Sequence, residues 1–113
     1  MKTDRELLEL AAKAAGYSVI RVSDDGEALL LDGRQQPWNP LADDAQALRL
    51  AVKLQLTICN EHLQAGQAYC IRGDEDFPNE YSQGDGSAGV TPDDYAATRR
   101  AIVRAAAAIG GQA

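Results

Sequence analysis

The residue pattern predicts an α+β fold in the order α-β-β-α-β-β-α, with a four-stranded antiparallel sheet packed with three helices as a layered sandwich. Three observations carry this expectation. Three stretches repeat apolar residues at helical spacing, and each opens on a residue that can cap a helix. Two pairs of β-rich runs are each joined by a polar segment containing glycine, which makes antiparallel neighbours. With 113 residues the chain can bury one core without disulfides or metal, so residues 1–113 read as a single domain.

Thr3-Asp4-Arg5-Glu6 has capping-box spacing and starts the first helix. Leu7, Leu10, Ala11 and Ala14 share one face, Leu8 and Ala15 widen it, and Gly16 supplies a left-handed stop. Tyr17 to Val22 is rich in β-branched and aromatic residues and reads as a strand. Asp24-Asp25-Gly26 is a turn, and Glu27 to Leu31 returns as the second strand of a hairpin. Both runs are apolar at nearly every position, which leans towards helices on both sheet faces.

Gln36-Pro37-Trp38-Asn39-Pro40-Leu41 is an extended connection, since each proline biases its predecessor away from helix. Trp38 there is either a core plug or an exposed anchor for a partner. Asp43, with Gln46 three residues on, caps the second helix. Its apolar stripe is Ala47, Leu48, Ala51 and Leu54, with Arg49 and Lys53 facing water. Leu54 to Cys59 and Gln67 to Arg72 form the second hairpin, turning near Gln64-Ala65-Gly66. If the turn centres on Gln64-Ala65, Cys59 and Cys70 lie opposite each other and a cross-strand disulfide competes with two reduced thiols.

Residues 73–90 form the longest irregular stretch and hold Asp74, Glu75, Asp76, Glu80 and Asp85. Such a loop is either mobile or an ordered surface for a partner. Trp38, Asn39, Asp74, Glu75, Asp76 and Glu80 are therefore the candidate partner-binding residues. Thr91-Pro92-Asp93-Asp94 then opens the last helix, with Thr as cap, Pro at the first position and acids at the positive dipole end. Tyr95, Thr98, Ile102, Ala105, Ala106 and Ile109 recur at helical spacing, and Gly110-Gly111 ends the helix.

The net charge of −6 repels nucleic acid and anionic membranes at long range. Arg99, Arg100 and Arg104 cluster, as a solvated helix face or as a phosphate patch. The charged N-terminus lacks a signal-peptide pattern, and no run approaches the ~20 apolar residues of a membrane span. A cytoplasmic location with reduced thiols is the expectation.

No constellation carries catalysis. Cys59, His62 and Cys70 are three potential ligands where structural zinc wants four, and only one His exists. The acidic loop lacks the glycine and acid positions of a calcium loop. Asp43-Asp44 and Asp93-Asp94 sit where carboxylates stabilise helix starts. Gly84, Gly86 and Gly89 do not open a helix after a strand, as a phosphate loop requires. The sequence thus predicts no catalytic residue, no metal and no cofactor.

The segments DRELLELAAKAAGY, PWNPLADDAQALRLAVKL and ATRRAIVRAAAAIG resemble a family of small tailed-phage and prophage proteins. The middle one is also similar to the phage ABA sandwich domain, an α-β-α layered fold. The resemblance covers a little under half of the chain and implies fold and setting, with no catalytic residue to carry over. Small size, acidic surface, the absence of a catalytic constellation and this setting together point to a non-enzymatic protein that binds a host or phage protein, an inhibitor of a host or defence protein among the options, in the host cytoplasm. The alternative is a homodimer built through the small-residue stripe Ala97, Ala101 and Ala108 of the last helix.

Overall fold

Helix α1 spans Asp4–Ala15. Thr3 Oγ1 accepts the Glu6 N–H at 3.2 Å, and Glu6 Oε1 accepts the Thr3 N–H at 3.2 Å, closing the expected capping box. Gly16 ends the helix at φ 79°, a left-handed conformation that costs glycine nothing. The computed structural model describes residues 2–61, 66–82 and 89–112, and α1 is the first of three helices among them. Its buried face is Leu8, Ala11, Ala12 and Ala15, with Leu7 and Ala14 at the margins, one step around the helix from the expected stripe.

Strands β1 (Val19–Val22) and β2 (Leu29–Leu31) pair antiparallel as expected, with an irregularity between Val19 and Arg21. They form their own two-stranded sheet. The expected cover on both faces is absent from β1, where Ile20 is 63% exposed. Leu29 and Leu31 of β2 are buried instead. Trp38 extends this unit. Its N–H donates to the Leu29 carbonyl at 2.8 Å, and its own carbonyl accepts the Leu29 N–H at 3.0 Å. That bridge turns the indole inward.

Helix α2 spans Asp44–Lys53 and starts as the sequence predicts, with the Asp43 carboxylate accepting the Gln46 N–H at 2.9 Å. Its core residues are Ala47, Leu50, Ala51 and Leu54, an i, i+3, i+4, i+7 stripe. Leu48, expected inside, is exposed because α2 meets its neighbours along one narrow side. Leu54 belongs to the end of this helix rather than to a strand, and Gln55 follows at φ 58°, a left-handed turn without the usual glycine.

The second sheet contains β3 (Thr57–Glu61), β4 (Gln67–Arg72), β5 (Glu75–Asp76) and β6 (Glu80–Tyr81). β4 is central: β3 runs antiparallel along one edge, while β5 and β6 share the other. The fold is therefore α+β with three helices and a four-stranded antiparallel sheet, but that sheet recruits β5 and β6 in place of the first hairpin. Both short strands come from the stretch expected to be irregular. The rest of that stretch, residues 83–88, and the expected turn residues His62, Gln64 and Ala65 lie outside the described residues.

Helix α3 (Pro92–Gly110) is the hub, touching α1, α2 and the four-stranded sheet. Pro92 occupies its first turn, and the Thr91 N–H donates to the Asp94 carboxylate at 2.8 Å. Residues 101–103 and 105–107 are all buried, so most of the helix circumference is covered, with Arg100 and Arg104 on the open side. Alanines make this possible by letting backbones approach closely. At Gly110 the approach is complete: a Cβ there would lie 2.0 Å from the Leu10 carbonyl oxygen. The helix ends at Gly110 with Gly111 as its cap, as the sequence predicts.

Candidate partner-binding face

Alternation along β3 and β4 sorts their side chains onto two faces. The register pairs Ile58 with Cys70 and Asn60 with Ala68. Cys70 and Ala68 are fully buried, so this face meets α3 and the core. The opposite face carries Thr57, Cys59 and Glu61 on β3 against Ile71, Tyr69 and Gln67 on β4. Asp76 continues the row of Ile71, and Tyr81 continues the row of Gln67. Tyr81 is 61% exposed.

Hydrogen bonds hold this outer face in one arrangement. Gln67 Nε2 donates to Glu61 Oε1 at 2.7 Å, and the Tyr69 hydroxyl donates to Glu61 Oε2 at 3.3 Å. Asn79 Nδ2 donates to Gln67 Oε1 at 3.1 Å. The Tyr69 hydroxyl is pushed up to about 12, first by its hydrogen bond with Cys59, then by the charges of Cys59 and Glu61. Glu61 and Asp76 are the charged members of these rows, and no basic residue stands among them.

The sequence-predicted residues separate into three groups. Asp74 is exposed in the turn before β5, and Asp76 is exposed on the outer face. Glu75 and Glu80 turn back towards α3. Glu75 Oε2 accepts from Gln112 Nε2 at 2.8 Å, and Glu80 receives Arg100 Nε at 3.4 Å and Arg104 Nη1 at 3.1 Å. The Glu80 side chain is only 15% exposed, so it is a tie between β6 and α3.

Trp38 and Asn39 are elsewhere. Trp38 is 2% exposed and packs edge-on against Tyr17, with ring centroids 5.7 Å apart. It is the core plug, and the exposed-anchor alternative fails because the bridge to Leu29 fixes its direction. Asn39 Nδ2 donates to the Glu27 carbonyl at 2.9 Å, while its Oδ1 accepts the Leu41 N–H at 3.1 Å. Its polar atoms thus fasten the connection and are not presented to a partner.

The structure also bears on the alternatives left open for the thiols, the arginines and the alanine stripe. Cys59 faces Tyr69, not Cys70, because the hairpin pairs Glu61 with Gln67 and turns half a residue earlier. That one-residue slip puts the two free thiols on opposite faces, where no cross-strand bridge can form. The arginine cluster is occupied internally: Arg99 Nε donates to the Leu41 carbonyl at 2.8 Å and Nη1 meets Asp44 at 2.7 Å, beside the Glu80 ties. A phosphate patch would have to break these bonds. Ala97 and Ala101 are fully buried and Ala108 half-buried, so that stripe packs within the chain rather than against a second copy.

Sequence reading weighed Cys59 only as a metal ligand or disulfide partner and overlooked Glu61, Gln67, Tyr69 and Tyr81. The alternation in QAYCIR was the available signal, since Gln67, Tyr69 and Ile71 share a face whatever the register. Among the described residues, no group of three or more His, Cys, Asp or Glu could hold a metal ion. Among them, too, no helix is long and apolar enough to cross a membrane. No known protein family, curated protein or solved structure matches this chain.

Proposed function

We propose that this chain is a non-enzymatic protein-binding module that docks a basic segment of a protein partner on the outer face of the four-stranded sheet. The observation that carries this reading is the make-up of that face. Tyr69, Tyr81 and Ile71 offer apolar surface, Glu61 and Asp76 offer negative charge, and hydrogen bonds preorganise the centre. Tyrosine supplies much contact area for little conformational entropy and is enriched where binding energy concentrates. Acids without neighbouring bases select a partner rich in Lys or Arg and speed its approach.

The phage resemblance supplies the setting: a host or phage protein in the cytoplasm, its basic surface covered by carboxylates as nucleic-acid phosphates would cover it. Inhibition of a host or defence protein follows from such masking.

The test is affinity capture from host lysate with the wild-type chain and with Tyr81→Ala/Asp76→Lys. A stoichiometric complex is expected with the wild type at physiological salt, together with slower thiol labelling of Cys59. The double variant should lose both. Equal recovery by both chains would sink the proposal. Recovery of a second copy of this chain alone would replace it with self-association through the same face.

A further inference from the structure

We infer that a second site, the cleft beside the Tyr17–Trp38 pair, binds a small anion carrying a phosphate or carboxylate group. The half-open cleft has a volume of about 460 Å³, and its lining includes Tyr17, Arg34, Gln36, Gln46 and Arg49 over the buried Trp38. That volume lies within the range of small-molecule sites. It shares no residue with the outer sheet face.

Charge is the feature that needs a reason. The chain has 17 acids and 11 Lys or Arg, yet no acid lines this cleft. Arg34 Cζ lies 4.3 Å from the Tyr17 ring centroid and Lys53 Nζ lies 5.0 Å from it, so two cations are held at one ring. Arg49 lines the same cleft. None of these three forms an ion pair among the described residues, whereas Arg21, Arg99, Arg100 and Arg104 each meet a carboxylate. Three cations gathered without a counter-charge repel one another, and a bound anion with two or more oxygens removes that repulsion.

The walls are preorganised for such a ligand. Gln46 Oε1 accepts the Asn39 N–H at 2.6 Å and its Nε2 donates to the Pro37 carbonyl at 3.1 Å, which fixes one side. Trp38 is anchored in the core and forms part of the lining. The guanidinium groups of Arg34 and Arg49 present paired N–H donors that match the oxygens of phosphate or carboxylate. The half-buried Tyr17 adds aromatic surface against which an attached ring can lie, with Trp38 beneath it.

Trp38 is the only tryptophan, so its emission reports directly on this cleft. The full chain is titrated at low salt with phenyl phosphate, inorganic phosphate and succinate, each followed by Trp38 fluorescence. A saturable change is expected below about 10 mM for at least one of them. Response to the phosphates alone assigns phosphoryl ligands, and response to succinate alone assigns carboxylates. Arg49→Gln should weaken binding by about tenfold or more, and Arg34→Gln/Lys53→Gln should abolish it, both with unchanged far-UV dichroism and melting temperature. No saturable change with any of the three probes overturns the inference. So does binding that survives both variants.

Discussion

The two faces of the four-stranded sheet are built by different means. On the inner face, Ala68 and Cys70 are small, fully buried and pressed against α3, so volume decides what fits. On the outer face, Glu61, Gln67, Tyr69 and Asn79 are joined by hydrogen bonds and remain partly open to water. Both faces come from the same strands, residue by residue in alternation. The contrast shows how one hairpin packs one set of side chains into the core and leaves the other set at the surface. The inner set tolerates little change, while the outer set can be varied without threatening the fold.

Enlarging an inner residue should have the largest effect. Ala68→Leu forces a branched side chain into the packing beneath α3 and is expected to cost about 3 kcal/mol in urea unfolding. Cys59→Leu on the outer face should change stability by less than about 1 kcal/mol. Comparable losses from both would erase the distinction between the faces.

Alkaline titration sharpens it further. Burial raises the Cys70 thiol from 9.0 to about 11, with Cys59 contributing second. The folded chain therefore holds this proton longer than the unfolded chain does. The resulting stability is fully present below pH 9 and is lost as pH rises towards 11, at up to about 1.4 kcal/mol per pH unit. Tyr69, raised from 10.0 to about 12, extends the decline above pH 10. Cys70→Ala should flatten the first part of this profile and Tyr69→Phe the second, as read by chemical denaturation at each pH.

A smaller effect is expected where β6 joins α3. Glu80→Gln removes the charge that meets Arg100 and Arg104 and should cost about 1 kcal/mol at low salt, less at high salt. Salt-independent loss would mean that packing, not charge, holds β6. The mildest probe is chemical: a maleimide should label Cys59 much faster than Cys70 under native conditions, with both equal after unfolding.

Much of the fold was legible because local chemistry dictates it. Thr3, Asp43 and Thr91 mark three helix starts, and the structure places each helix directly after them. The membership of the larger sheet was not legible. Glu75–Asp76 and Glu80–Tyr81 are two-residue strands whose pairing depends on β4 and on the Glu80 tie to α3, both tertiary contacts. The end of α2 was hidden because Gln55 adopts a conformation that sequence associates with glycine. The candidate face was obscured by register, since moving the hairpin by one position exchanges which side chains meet α3. Acidic composition alone did not mark the face: Glu80 is tied to α3 and Glu75 to Gln112, while Tyr69 and Tyr81 lie on the outer side of the sheet.

The contact between α1 and α3 has a consequence for biosynthesis. α1 is translated before α3, yet the surface that covers Leu8, Ala11, Ala12 and Ala15 belongs largely to α3. A nascent chain on the ribosome must carry that bare apolar stripe through the synthesis of everything between them. Native assembly of the whole chain thus waits for residues 92–110, and until they emerge the first helix is a natural substrate for chaperones.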